Sequence, residues 1–247
     1  MYRKLLFLSI IFILIPPIYG WETMLPVTNY HLEEKVNSEN SFSLYLSGLY
    51  NKINTNELNF DAFKYALKGY LELKNQNKLT NSDYLTIIDM GTSSNNERLF
   101  IINMKTQQLE HKSLVAHGRN SGGTFAKQFS NKVNSHQTSL GFYKTAETYI
   151  GKHGFSLRLD GLEFSNNNAR RRAVVIHQAD YASANFIKQH GRLGRSYGCP
   201  SLPKNDYKTI VNKIKNGSCL FIYYSKSSYL KNSKLVNSTT NLVTVNN

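Results

Sequence analysis

Apolar residues fall along this chain in distinct regimes. Leu5 to Ile15 is one apolar run, broken only by Ser9 and closed by Pro16-Pro17. Residues 21 to about 57 are polar and mixed, with a single apolar patch at Phe42-Ser43-Leu44-Tyr45-Leu46. Phe60, Phe63, Leu67, Tyr70 and Leu71 then share one stripe, which predicts a helix from Phe60 to Leu73 with Asn59 as its cap. Beyond a loop at Asn75 to Ser82 the period shortens. Leu85-Thr86-Ile87-Ile88, Leu99-Phe100-Ile101-Ile102, Leu114-Val115-Ala116-His117, Leu157-Arg158-Leu159 and Ala173-Val174-Val175-Ile176 read as strands, separated by turn-forming stretches such as Gly91 to Asn96 and Asn120-Ser121-Gly122-Gly123. Helical spacing returns at Ser183 to Gln189 and at Lys204 to Lys215, where Tyr207, Ile210, Val211 and Ile214 face inward and Gly217 stops the helix. Cys219 to Tyr224 is a last, very apolar strand, and Ser225 to Asn247 is Ser/Asn-rich without periodicity.

These elements predict an α+β, mainly β fold. A core of short strands with short helices spans about 81–224, an N-terminal polar and helical annex spans 21–80, and 225–247 is a flexible polar tail. Residues 1–20 have the layout of an export signal: Arg3 and Lys4, the apolar run, then Ile18-Tyr19-Gly20 ending on a small residue. The run is shorter than the about 20 apolar residues a membrane helix needs. An uncleaved anchor is the alternative. After cleavage no membrane span is expected, and no cysteine follows the run to carry a lipid. The expected location is the periplasm or cell envelope. With 40% hydrophobic and 12% aromatic residues the chain can build a core. Its net charge of +14 suits an anionic matrix or substrate outside the cytoplasm. Nucleic acid is not an expected partner, because the lysines are dispersed and the chain is exported.

The densest chemistry lies between Arg170 and Pro203. His177 ends a buried strand, and Cys199 follows Gly198 in a loop that also holds Gly191 and Gly194. Glycines let a backbone turn sharply, which exposes a nucleophile together with neighbouring N–H groups. A thiol needs a base to become a thiolate near neutral pH, and an imidazole supplies one. Arg192 and Arg195 precede the cysteine and would draw a carboxylate. The competing reading is that a cysteine is a small buried hydrophobe or half of a disulfide with Cys219. Cys219, in Cys-Leu-Phe-Ile-Tyr-Tyr, reads as core. His190 is either a site residue or a cation at a helix C-terminus, and Arg170 to Arg172 read as a solvated strand start. His177, His190, Cys199 and Cys219 have no zinc-ligand spacing, so no metal is expected.

His177 followed by Ser196-Tyr197-Gly198-Cys199 resembles the signature of the YkuD-type L,D-transpeptidases. The segment His190-Gly191-Arg192-Leu193-Gly194-Arg195-Ser196-Tyr197-Gly198-Cys199-Pro200 is most similar to the murein L,D-transpeptidase catalytic-domain subfamily. Val115 to Gly122, Ser139 to Tyr143, Gly151 to Gly154 and Ser156 to Leu162 also resemble it, so the likeness covers about 80–224. It implies an L,D-transpeptidase-like β-sandwich or barrel. It makes Cys199 the nucleophile and His177 the base, with the Gln178 carbonyl orienting the ring and the amides near Tyr197, Gly198 and Cys199 holding the oxyanion. Tyr197 stands where the general signature has His, and Pro200-Ser201 replaces an aliphatic-Arg pair. Arg192 or Arg195, with Ser196 and His190, is expected to bind substrate in its stead. The implied reaction joins peptidoglycan stem peptides in 3→3 crosslinks without a cofactor. The alternatives are an L,D-carboxypeptidase or endopeptidase, a protein-anchoring enzyme, a non-catalytic wall-binding module and, with His before Cys arguing against it, a papain-like protease.

Overall fold

The computed structural model describes the backbone of residues 27–239 and the side chains of residues 39–239. The expected export segment, residues 1–20, lies outside them. Packing divides the chain between Val36 and Asn37, and the fold described below is that of the second unit.

Eight strands form one sheet: β1 (Tyr84–Asp89), β2 (Leu99–Asn103), β3 (Gln108–Ser113), β4 (Gly141–Gly151), β5 (Gly154–Gly161), β6 (Val175–Gln178), β7 (Ser201–Leu202) and β8 (Cys219–Tyr223). Their order is β3-β2-β1-β8-β4-β5-β6-β7. Most neighbours are antiparallel; β1 with β8 and β6 with β7 are parallel. The chain leaving β3 bridges back to β7 through Ala116 and Ser201, so the two ends of the sheet meet in a nearly closed barrel. The mainly β architecture expected from the sequence is therefore present.

The middle strands are apolar because both faces are covered. Leu85, Ile87, Ile88, Phe142, Leu220, Phe221 and Ile222 are all fully buried. Phe142 and Phe221 stack with ring centroids 4.2 Å apart, a contact type that adds about 0.5–1.5 kcal/mol beyond burial. Helix α2 (Phe60–Asn75) seals one face. Its start is capped as expected, Asn59 Oδ1 accepting from the Ala62 amide at 3.0 Å. Gly69 lets it approach closely, for a Cβ there would sit 2.1 Å from Phe142 Cζ. Helix α4 (Lys204–Ile214) buries Tyr207, Ile210, Val211 and Ile214, the predicted inward stripe.

Four expectations change. Residues 27–53 form helix α1 (Val27–Ile53) rather than mixed polar chain, and Phe42, Leu46, Leu49 and Ile53 recur on its buried face. Because α2 shares one core with the sheet, residue 81 is not a break in packing. The strand expected at Leu114 to His117 is only the bridge at Ala116, while the longest strand, β4, carries Lys144, Glu147 and a register shift between Thr145 and Thr148, which hide its period. Finally, residues 225–239 are not a loose tail. They hold helix α5 (Ser227–Asn232) and bury Tyr229, Leu235 and Val236, with the Tyr229 hydroxyl donating to Glu163 at 2.8 Å. Between Ala184 and His190 lies the short helix α3, capped by Ser183. Among the described residues no helix is long and apolar enough to cross a membrane.

Candidate active site

Parallel pairing of β6 with β7 builds the site. His177 pairs with Ser201 and Gln178 with Leu202. Cys199 lies two residues before Ser201, in the loop that leads into β7; its Sγ meets the Ala173 carbonyl, whereas His177 Nε2 meets Ser201 Oγ. The loop before β7 is held rigidly. Ser196 donates its hydroxyl to the Cys199 carbonyl at 2.6 Å and accepts from the Gly198 amide at 3.0 Å. Gly198 has φ +124, and a Cβ on it would lie 2.8 Å from the Gln137 carbonyl oxygen. No other residue type fits there without strain.

His177 is buried, 3% exposed. Its Nδ1 lies 3.0 Å from the Gln178 carbonyl and its Nε2 3.0 Å from Ser201 Oγ, which in turn lies 3.0 Å from the Tyr181 hydroxyl. The His153 ring, from the two-residue turn between β4 and β5, stacks on His177 at 4.2 Å. Burial lowers the His177 pKa; the Gln178 carbonyl opposes this, and His153 and Lys152 reinforce it. Cys199 is half-buried and its Sγ donates to the Ala173 carbonyl at 3.7 Å. Burial raises its pKa, partly offset by the Val175 amide, Arg172 and Lys152. Both shifts favour a resting pair of neutral thiol and neutral imidazole. Cys219 is also a free thiol, but it is fully buried in β8.

The profile of the L,D-transpeptidase catalytic domain matches residues 54–223. The chain belongs to the L,D-transpeptidase catalytic-domain family. Among solved structures it is similar to an L,D-transpeptidase from Mycobacterium smegmatis, at 11% identity and TM-score 0.36 over 57% of this chain and 59% of that one. It is similar to the L,D-transpeptidase from Xylanimonas cellulosilytica at 11% identity and TM-score 0.31, over 55% and 58%. A Bdellovibrio bacteriovorus protein shows 16% identity and TM-score 0.34, over 60% and 52%. The chain thus spans little more than half the length of these structures. No curated protein matches the sequence.

In this L,D-transpeptidase-family domain the remaining expected residues divide. Of the three amides expected around the oxyanion, that of Gly198 is already held by Ser196, whereas those of Tyr197 and Cys199 make no hydrogen bond among the described residues. Ser196 is buried and shapes the loop rather than meeting solvent. Tyr197 is 64% exposed, packs on His136 and lies under the Arg119 guanidinium, 4.8 Å from its ring centroid. Arg192 folds back onto the Leu193 carbonyl at 2.8 Å, and Arg195 ties the carbonyls of Arg119 and Gly122. His190 stacks on Phe186 in the last turn of α3.

Arg172 was read as a solvated strand start, and the structure corrects this. Its Nη1 donates to the Ser130 carbonyl and Ser139 Oγ, and its Nη2 to Ser135 Oγ and the Gln137 carbonyl. It thereby ties the 130–139 loop to the segment that leads into β6, with its Nη2 beside Gly198. Arg170 is the surface member, bridging Glu147 and Asp160. Tyr181 had no motif to mark it, Ser201 stood out only as a departure from the signature, His153 only as part of the Gly151 to Gly154 resemblance and Arg172 only as part of a basic run; sheet register and long-range contacts place them here. A cavity of about 310 Å³ lies elsewhere, lined by Phe129, Leu140, Glu163, Phe164 and Tyr229. Among the described residues no group of three or more His, Cys, Asp or Glu is placed to hold a metal ion.

Proposed function

We propose that this protein is an L,D-transpeptidase of the cell envelope that acts on peptidoglycan tetrapeptide stems through a Cys199 thioester. The observation that supports the reading is that His177 on β6 pairs with Ser201, two residues after Cys199, so the loop bearing the thiol adjoins the strand bearing the imidazole, within a chain of this family. Cys199 Sγ attacks the carbonyl of the third stem residue while His177 takes the thiol proton. The C–N bond to the terminal D-Ala breaks, and its amine leaves with the proton from His177. An amine of a second stem then attacks the thioester, the C–S bond breaks, and a 3→3 crosslink forms as the proton returns to sulfur. The free amides of Tyr197 and Cys199 are the oxyanion donors. The basic chain suits a substrate bearing carboxylates.

Purified protein incubated with tetrapeptide muropeptides is expected to give 3→3 dimers and free D-Ala by mass spectrometry. Tripeptide monomers without dimers would replace crosslinking by L,D-carboxypeptidase activity. Unchanged tetrapeptide, with no adduct from a carbapenem, would leave a non-catalytic wall-binding module.

A further inference from the structure

A base in acyl transfer must first lack a proton and then hold one, and the hydrogen bonds around His177 serve both states. The Gln178 carbonyl only accepts, so Nδ1 carries the proton and donates to it. Nε2 of the neutral ring therefore accepts, and the Ser201 hydroxyl donates. Ser201 has one proton, so the Tyr181 hydroxyl donates to Ser201 Oγ in turn. One carbonyl fixes the direction of all three bonds. When Nε2 takes up a proton, two of them reverse: Nε2–H donates to Ser201 Oγ, and the Ser201 hydroxyl donates to the Tyr181 oxygen. For that reversal the two hydroxyls need only rotate about their C–O bonds.

We infer that Ser201 and Tyr181 are positioning residues that give His177 a hydrogen-bond partner in both protonation states, and so govern how readily the Cys199 proton passes to the base. The inference rests on the reading of Cys199 and His177 as the acyl-transfer pair. Hydrogen bonds to an ionised group are roughly twice as strong as neutral ones, so the hydroxyl pair favours the imidazolium. It works against burial and against His153 and Lys152, which face the ring from the β4–β5 turn. The other ionisable groups around the pair are Cys199 itself, Arg172 on the cysteine side, and Tyr207 from α4, whose hydroxyl donates to the Ile176 carbonyl. Ser156, opposite His177 on β5, is uncharged.

The full-length protein is alkylated with iodoacetamide across pH 5–10, and the adduct is located by mass spectrometry. Cys219, fully buried, does not compete. Each unit by which His177 loses basicity reduces the thiolate–imidazolium population tenfold. Ser201→Ala is therefore expected to slow alkylation of Cys199 about tenfold at pH 7, the gap closing toward pH 10, where the thiol ionises without the base. Tyr181→Phe, a gentler change, acts in the same direction by about threefold. Imidazole titration by NMR is expected to show a lower His177 pKa in Ser201→Ala. Equal pH profiles and an unchanged His177 titration in both variants would overturn the inference. His177→Ala separates the two levels: if it slows neutral-pH alkylation while Ser201→Ala does not, the inference alone fails. If His177→Ala has no effect, the acyl-transfer pair fails with it.

Discussion

The two cysteines mark two differently built halves of one sheet. Cys219 begins β8, fourth in the strand order, among Leu85, Leu220 and Phe221. Burial drives its thiol pKa far above the ordinary value, so it stays protonated and inert. Cys199 precedes β7, at the end of the order, where a small apolar cluster of Ala116, Ala179, Ala182 and Leu193 is accompanied by many buried polar groups. Arg98, His117, Ser121, Thr138, Ser196 and Ser201 are all 5% exposed or less. Arg98 donates to the Val115 and Thr92 carbonyls and to His117 Nδ1 at 2.8 Å. The middle of the sheet is held mainly by area removed from water, and the site's side by a smaller apolar cluster together with directional bonds. The first is insensitive to pH and tolerant of small shape changes; the second is neither.

Exchanging the cysteines breaks the comparison most sharply. Cys199→Ala is expected to abolish thioester formation, with turnover falling about a thousandfold or more, whereas Cys219→Ala keeps turnover and carbapenem labelling. Loss of labelling in the β8 variant alone would reverse the assignment. Acid should separate the halves next. His117 is buried beside Arg98, and its pKa is lowered to about 4. The folded protein keeps this ring neutral while the unfolded chain protonates it below about 6.5. The resulting stability is present above pH 6.5 and lost as pH falls toward 4, amounting to about 3 kcal/mol. His177 titrates in the same sense. Urea midpoints measured from pH 7 to 4 check this, and in His117→Gln the slope should flatten; parallel slopes in the two proteins would refute it.

Gly198→Ala tests the rigidity of the bend. It forces a Cβ to 2.8 Å from the Gln137 oxygen at φ +124, an expected loss of about 1–3 kcal/mol with slower labelling of Cys199. A thermal melt and labelling rate equal to wild type would mean the loop relaxes freely. The smallest effect belongs to the apolar half: Cys219→Ala should lower stability by about 1 kcal/mol, read by urea denaturation and unchanged between pH 7 and 5.

Legibility in the sequence followed the same division. β1, β2 and β8 announce themselves as apolar runs because both faces are covered, and α2 and α4 by a single buried stripe. The Phe42, Leu46, Leu49, Ile53 stripe of α1 was equally regular, but Leu44, 77% exposed, interrupts it and makes the patch look irregular. β4 was hidden by its half-solvated polar residues. At the candidate site, Cys199 and His177 stand out in the sequence because the motif surrounding the cysteine is local. Arg192, Arg195 and His190 were prominent for the same reason, yet each is engaged with nearby backbone or a neighbouring ring. Ser201, Tyr181 and Arg172 act through partners 20 to 42 residues away, a relation that only the register of β6 on β7 and the course of the loops create.

The bridge between Ala116 and Ser201 also bears on self-association. A bare terminal strand presents unpaired amides and carbonyls on which a second molecule can add its own strand and seed aggregates. Here Ala116 donates to the Ser201 carbonyl at 2.9 Å and accepts from its amide at 3.3 Å, while β7 itself is only two residues long. The rim that carries Cys199 is thus capped from within. Ser201 guards colloidal solubility with its backbone while its hydroxyl faces His177, so a substitution that loosened this one position would expose a sticky edge as well as disturb the imidazole.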